Sequence, residues 1–416
     1  MNLPDKIKAL IYKPQAILVV YIVSAIIAAV QLYSMGRHPF TFPKDPYPDD
    51  IMNHLEKMNQ FYGKMLTEYN NYLIFKYSYF HLLDGSNLYG LYPSCHWDYF
   101  KYSPTFALLM APMAYLPDVV GLSIWNILNA ITVYFGIRML PFVTRTQCVL
   151  LWFVSFELLT CLQNAQSNGL MCGLMIAAYG CMHNGKAMWA TLWLVLATYI
   201  KVYGAIGFCL FLFYPGKVRF IAYALLWTIV LGALPLVVTP FHTLVWQYHN
   251  WKDLLVADAT AAVGLSVAGV LSTWFGIVGG KAVVTVVGLL LFLVPFVRVK
   301  QYGNELFRLL MLAGMLIWVI IFNHKAESST YIIAVAGVGI WYFAMPEAKW
   351  RTALLWFVFL FTCLSTTDIF PPFVKQHLIY PYKFKAFPCI VVWCVVFADL
   401  MRVKNGADSR NIAGTT

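Results

Sequence analysis

The chain has 416 residues, of which 61% are hydrophobic and only 11% charged, and it carries 30 Phe, 26 Tyr and 14 Trp. A soluble domain holds about 25% charged residues, so a surface this apolar calls for lipid around it, and the chain reads as a polytopic inner-membrane protein. The net charge of +11 does not point to nucleic acid, because no basic cluster is interleaved with aromatics.

At the N-terminus, Lys6, Lys8 and Lys13 precede an apolar run from Pro14 to Tyr33. That run is too long for the apolar core of a signal peptide and lacks a small-residue cleavage site, so it reads as a retained helix. A long polar segment follows, residues 36–103. Apolar stretches then occupy 119–137, 147–162, 168–182, 187–200, 202–214, 220–238, 281–298, 306–322, 329–345, 350–364 and 384–402. With the first helix they predict an all-α polytopic protein of about 12 transmembrane helices, two more or fewer, because several stretches fall short of the ~20 residues of a straight crossing. The segments 104–116 and 264–279 fit better as re-entrant or interfacial pieces. The expected organisation is one integral membrane domain, 1–416, with a cytoplasmic start (1–13), outer loops at 36–103 and 239–267, and a cytoplasmic tail (403–416).

Of the 9 cysteines, Cys161, Cys172, Cys181, Cys209, Cys363 and Cys394 lie in apolar runs and read as packing residues. No paired C-x-x-C spacing is present, so no zinc site is expected. Cys95 stands in the polar segment, and Cys161 is its one candidate disulfide partner.

Lysine and arginine set the orientation. With the N-terminus cytoplasmic, the same side collects Arg138, Arg145, Lys186, Lys217, Arg219, Arg298, Lys300, Arg308, Lys349, Arg351, Arg402, Lys404 and Arg410. Of the nine arginines only Arg37 falls on the other side. Both termini are therefore expected in the cytoplasm. The acids sort the opposite way, among them Asp49, Asp50, Glu56, Glu68, Asp84, Asp98, Asp253, Glu327 and Asp368. Any chemistry is expected on the outer, periplasmic face.

Three features mark the first outer loop. The stretch Phe42-Pro-Lys-Asp-Pro-Tyr-Pro-Asp-Asp50 holds its carboxylates on a backbone restricted by proline. Asn71 to Leu83 is aromatic, with Lys76 and His81 interspersed, and suits a helix lying in the headgroup region. A turn at Asp84-Gly-Ser-Asn leads into Tyr92-Pro-Ser-Cys-His-Trp-Asp-Tyr-Phe-Lys-Tyr-Ser-Pro104. An aromatic belt at the membrane interface is the plain alternative for all three.

The order Asn71…Leu82-Leu83-Asp84-Gly85…Leu88-Tyr89, then Phe100-Lys-Tyr-Ser-Pro-Thr-Phe-Ala-Leu-Leu109, then Leu116-Pro117…Trp125-Asn126…Leu128-Asn129, resembles glycosyltransferase family 87. Leu162-Gln-Asn-Ala-Gln-Ser-Asn-Gly-Leu170 resembles the family's Gln-Asn-Gly-Gln-x-Asn element, and Ala197-Thr-Tyr-Ile-Lys201 its Ala-x-x-(Ile/Phe)-Lys. Phe322-Asn-His-Lys-Ala-Glu-Ser328 falls where the family has a short outer loop containing His. The resemblance is best over about residues 70–220, and the Asn-Asn-Tyr-Leu-Ile-Phe variant is most similar to Bacteroidetes-type members. It implies a GT-C-like fold and transfer of a mannose-like hexose from a polyprenyl-phosphate donor to a glycolipid or glycan acceptor, at the outer membrane surface.

One position departs from the pattern. Where the family carries its first-loop acid, this sequence has Asn71, and an amide takes no proton from an acceptor hydroxyl. Either the register differs or the base is another residue, with Asp50, Asp49 and Glu68 nearest and His324 the candidate outside the loop.

A lipid-phosphate donor brings its own leaving group, so the site needs a base for the acceptor and cations for the departing phosphate. The phosphate candidates are Lys201, Lys325, Lys76 and Lys101. Lys201 stands out because a lysine between two apolar runs is costly unless paired or solvated; snorkelling to the interface is the alternative. Asn71, Gln163, Asn164, Gln166, Asn168 and Glu327 are the candidates for sugar and acceptor, although the amides equally suit helix–helix contacts. Glu157, within an apolar stretch, is either functional or paired with a cation that sequence does not name. No Asp-x-Asp is present, and neither metal nor cofactor is expected. The expected partners are the lipid-linked sugar, the acceptor and membrane lipid. A secondary transporter or flippase is the alternative; it would show two similar halves and ionisable groups near the midplane, whereas this sequence shows no such repeat and few intramembrane charges, Glu157 and Asp399. A lipid-glycan ligase or polymerase would carry its large loop late rather than early.

Overall fold

The computed structural model describes residues 10–39, 65–92, 94–258 and 263–404. Apart from one ribbon, in which β1 (Arg37–Pro39) pairs antiparallel with β2 (Met65–Thr67), the regular elements of the described residues are helices. Asp49, Asp50 and the proline-rich stretch around them lie outside the described residues.

Most of the longer helices lie on the apolar stretches. In chain order they are α1 (Pro14–Ser34), α2 (Asn70–Leu83), α3 (Pro104–Leu109), α4 (Asp118–Arg138), α5 (Thr144–Gln163), α6 (Asn168–His183) and α7 (Ala187–Ile200). A tightened 3-10 segment, Val202–Phe213, leads to α8 (Lys217–Ala233), α9 (Phe241–Asp258), α10 (Val267–Phe275), α11 (Lys281–Leu293), α12 (Glu305–Ile321), α13 (Tyr331–Ala344), α14 (Lys349–Val358) and α15 (Phe387–Arg402). Five helical stretches among the described residues are long and apolar enough to cross a membrane: Pro14–Ser34, Asp118–Arg138, Thr144–Gln163, Lys217–Val237 and Phe384–Arg402. Four further apolar helices are shorter.

Burial separates the centre of the bundle from its rim. α12, α13 and α6 bury nearly every residue, whereas α8 exposes Ile221, Leu225, Leu226 and Ile229. An apolar helix that is exposed on most of its surface has lipid as its partner. Inside, small residues let backbones touch. α4 and α6 cross where a Cβ on Gly136 would meet the Gly173 carbonyl oxygen at 2.6 Å, and one on Gly173 would meet that of Thr132 at 2.3 Å.

Apart from Arg37 in β1, the described arginines gather at one end. Arg145 lies over the Tyr12 ring at 4.7 Å, His183 closes on Glu305 at 3.3 Å, Arg308 donates to the Phe213 carbonyl at 2.7 Å, and Arg351 lies 3.6 Å from Asp399. The 239–267 segment differs from the expected loop. Most of it is the 18-residue α9, whose Gln247 donates to the Ser86 carbonyl at 2.6 Å and whose Trp251 donates to that of Lys101 at 3.2 Å. It therefore braces the first-loop segment rather than hanging free. The candidate pairing of Cys95 with Cys161 is also corrected: both thiols are free, and Cys161 is fully buried where it accepts a hydrogen bond from the Gly169 N–H at 3.2 Å.

Candidate functional site

A cavity of about 640 Å³ opens at the end of the bundle away from Arg145, Arg308 and Arg351. Six chain segments build its wall: the ribbon and start of α2 (Glu68, Asn70, Asn71, Phe75), the strap Trp97–Tyr102, the α5–α6 junction (Gln163, Asn164, Gln166), the break after α7 (Lys201, Tyr203), α9 (Leu255) and the α12–α13 loop (Asn323, His324, Lys325, Glu327).

Each segment is fixed by local chemistry. Ser103 caps α3 by accepting from the Phe106 N–H at 3.1 Å, with Pro104 at the first helical position, so the strap turns sharply into the helix. Asn70 accepts from the Trp97 N–H at 3.0 Å, tying the strap to α2. Asn71 donates to the Asn164 carbonyl at 2.9 Å, closing α2 onto the α5–α6 junction. That junction contains Ala165 at φ 49°, a left-handed conformation that costs a residue with a Cβ of order 1 kcal/mol or more. Trp125 holds it there, donating to the Ala165 carbonyl at 3.0 Å. The strain turns Gln163, Asn164 and Gln166 toward one space.

Lys201 occupies the break between α7 and the 3-10 segment, in extended backbone at φ −139°, ψ 123°. Its Nζ donates to Asn168 Oδ1 at 2.7 Å and lies 5.7 Å and 6.0 Å from the Tyr102 and Tyr203 ring centres. Asn168, the first residue of α6, reaches on to Ser329 Oγ at 3.3 Å, so one amide links the lysine to the α12–α13 loop. Burial lowers the Lys201 ammonium from 10.5 to about 8, and the Glu327 carboxylate pulls it back up. A bound anion would supply the charge this lysine lacks.

The α12–α13 loop is held from below. The Gly264 N–H donates to the His324 carbonyl at 2.7 Å and the Leu265 N–H to that of Ala326 at 2.8 Å. Only glycine permits the approach, since a Cβ at 264 would meet the Ala326 oxygen at 2.5 Å. His324, Lys325 and Glu327 thereby face Lys201 and the amides across the cavity.

A second cavity, of about 510 Å³, lies alongside, lined by apolar residues of α3, α4, α6 and α7 that include Met110, Ile131, Phe135, Leu174, Trp193 and Ile200. Phe106, on its wall, packs against Phe75 at 5.3 Å and Tyr102 at 4.7 Å, which line the polar cavity. Ile200 immediately precedes Lys201. The two spaces share an aromatic partition.

Of the residues singled out from sequence, Glu68, Asn71, Lys101, Gln163, Asn164, Gln166, Lys201, His324, Lys325 and Glu327 all line the polar cavity. Asn168 is absent from its surface but grips Lys201. Lys76 does not line the cavity: its ammonium is paired with Asp118 at 2.7 Å and donates to the Leu116 carbonyl at 2.9 Å. Sequence reasoning passed over Tyr102, Tyr203, Asn70 and Trp97, and the only signal for the two tyrosines was their adjacency to Lys101 and Lys201. Among the described residues no group of three or more His, Cys, Asp or Glu is disposed to hold a metal ion.

The sequence model of glycosyltransferase family 87 matches residues 100–322. The match starts after the first-loop block and runs past residue 220, the point beyond which the resemblance thins on motifs alone, to the end of α12. No curated protein matches the chain.

Proposed function

The chain belongs to glycosyltransferase family 87, and from that premise we propose that it transfers a hexose, mannose-like, from a polyprenyl-phosphate donor to a glycolipid or glycan acceptor in the polar cavity. Its family membership makes it a glycosyltransferase, which sets aside the transporter and flippase alternative. The donor assignment rests chiefly on one observation: a half-buried lysine with an ammonium lowered to about 8 sits where a polar cavity meets an apolar one. That layout suits an amphipathic donor, with the phosphate at Lys201 and the isoprenoid beyond the Phe75–Phe106–Tyr102 partition.

In this reaction the bond between the sugar C1 and the phosphate oxygen breaks, and a bond forms between C1 and the acceptor oxygen. The acceptor proton passes to a base, and polyprenyl phosphate departs with the electron pair. Lys201, Lys325 and Lys101 offset the charge that grows on the phosphate. The amides of Gln163, Asn164 and Gln166 take up sugar hydroxyls without adding charge. Glu68 and His324, on opposite walls, are the described candidates for the base, since Asp49 and Asp50 lie outside the described residues. No metal enters, because the leaving phosphate meets lysines directly. The positive-inside bias supports a reading with both termini in the cytoplasm of a bacterial inner membrane and the cavity at its periplasmic face.

The test is transfer by purified protein in detergent from a defined polyprenyl-phosphate sugar, with EDTA present. Turnover that EDTA leaves unchanged supports the reading. Transfer only from a sugar nucleotide, or only with added divalent metal, overturns it.

A further inference from the structure

Below the cavity, and outside its wall, lies a charge pair that the transfer reaction does not use. Lys385 Nζ sits 2.8 Å from Glu157 Oε1, with the two side chains 1% and 0% exposed. The ammonium also donates to Ser328 Oγ at 2.9 Å and Thr366 Oγ1 at 3.3 Å, so all three of its N–H groups are engaged. Its backbone carbonyl accepts from Thr362 Oγ1 at 2.9 Å, and the Tyr331 ring centre lies 5.6 Å from Nζ.

Such a pair is a poor device for stability alone. Removing two ions from water is expensive, and well-packed apolar residues of similar volume often replace a buried pair without loss. What the pair does supply is fixed geometry between three segments far apart in sequence. Glu157 stands six residues before the end of α5, about 9 Å down the same rigid helix that ends in Gln163. Ser328 directly follows Glu327 in the α12–α13 loop. Lys385 and Thr366 come from the segment between α14 and α15. One ammonium thus spans from the helix that carries the amide wall to the loop that carries His324, Lys325 and Glu327.

We propose that the Glu157–Lys385 pair is a positioning element, which sets the gap between the two walls of the cavity by gripping the α12–α13 loop through Ser328. It acts through that loop and does not touch the substrate. The importance of the gap to transfer rests on the reaction proposed above, but the grip itself does not.

Two variants separate the grip from the fold. Glu157→Leu/Lys385→Met removes both charges and leaves neither ion stranded. Ser328→Ala/Thr366→Val keeps the ion pair and unlinks the loop, so it decides the matter should the first variant fail to fold. Amide hydrogen exchange of purified protein is read over residues 322–330, with α12 and α13 as internal references. Both variants are expected to speed exchange in that segment about tenfold or more, with the references unchanged. In the transfer assay they are expected to lower kcat about ten- to a hundredfold while donor KM moves far less. Ser328→Thr, which restores the hydroxyl to an otherwise wild-type chain, is expected to keep wild-type kcat. Unchanged exchange over 322–330 in Ser328→Ala/Thr366→Val overturns the proposal. Absence of transfer by the wild-type protein from any polyprenyl-phosphate sugar overturns the reaction instead, and the exchange result stands either way.

Discussion

If Lys201 is the cation that meets the donor phosphate, activity should fall as its ammonium deprotonates. With a pKa of about 8 in the ligand-free protein, it is about 90% charged at pH 7 and about 10% at pH 9, so kcat/KM for the donor should drop about tenfold across that interval. Lys201→Met removes a charge-assisted hydrogen bond, about 1.5–3 kcal/mol, which is roughly a ten- to hundredfold loss in kcat/KM at pH 7. Lys201→Arg keeps a charge that no accessible pH removes, so its profile should lose the alkaline limb even where its rate is below wild type. Stability should move the other way. The folded ammonium titrates near 8 and the unfolded one near 10.5, so the unfolded chain binds the proton more readily. The charge therefore burdens the fold fully below pH 8, and the burden lifts as pH rises from 8 to 10.5. Lys201→Met should accordingly raise Tm at pH 7 while it lowers activity. The assay is initial-rate transfer in detergent at several pH values, paired with thermal unfolding of the same preparations. A Lys201→Met protein with wild-type kcat/KM and the same alkaline limb would refute the assignment.

Among the base candidates, Glu68→Gln or His324→Ala should lower kcat by about 10²–10⁴ if that residue takes the acceptor proton; wild-type rates in both would place the base elsewhere in the first loop. Ala177→Phe puts a ring into the apolar cavity, and should raise KM for a long-chain donor in kinetics run beside a short-chain analogue, whose KM should hold. Equal effects on both donors would remove that cavity from the donor path. Gly264→Ala drives a methyl against the Ala326 carbonyl at 2.5 Å. It should lower both Tm and kcat in unfolding and transfer assays, because the loop that bears His324 must shift to admit it.

Many of the apolar helices were legible because lipid contact is a local property of sequence, although only five of the described helices are long and apolar enough to cross a membrane. The stretch 187–200 coincides with α7, and 168–182 falls one residue short of α6. The amide cluster at 163–168 and Lys201 were legible for a related reason: polar groups set between apolar runs need a purpose or a partner. Partners themselves were not legible. Lys76 meets Asp118 across 42 residues, and Glu157 meets Lys385 across 228; nothing in local pattern records such pairings. α9 was missed because Phe241–Asp258 mixes His, Gln, Asn, Lys and Asp with its aromatics, so its mean hydropathy resembles that of a loop. Its Gln247, Asn250 and Trp251 hydrogen-bond to the first-loop segment, a surface that exists only after folding.

The amide at position 71 is explained by its neighbour. Where the motif resemblance leads to the expectation of an acid, Asn71, which precedes the matched residues 100–322, donates to the Asn164 carbonyl at 2.9 Å and pulls the start of α2 onto the strained α5–α6 junction. A carboxylate at 71 would set two acceptor oxygens against each other and lose that closure. Asn71→Asp therefore separates two accounts. If position 71 is the base site and the amide a lapse from it, the acid should raise kcat. If the amide is a structural tie and the proton goes to Glu68 on the same wall, the acid should lower kcat by about tenfold, for a lost hydrogen bond of about 1 kcal/mol plus the repulsion. Asn71→Ala, which loses the bond without the repulsion, should fall between the acid and wild type. A gain in kcat for Asn71→Asp would move the base to position 71 and reduce Glu68 to a wall residue.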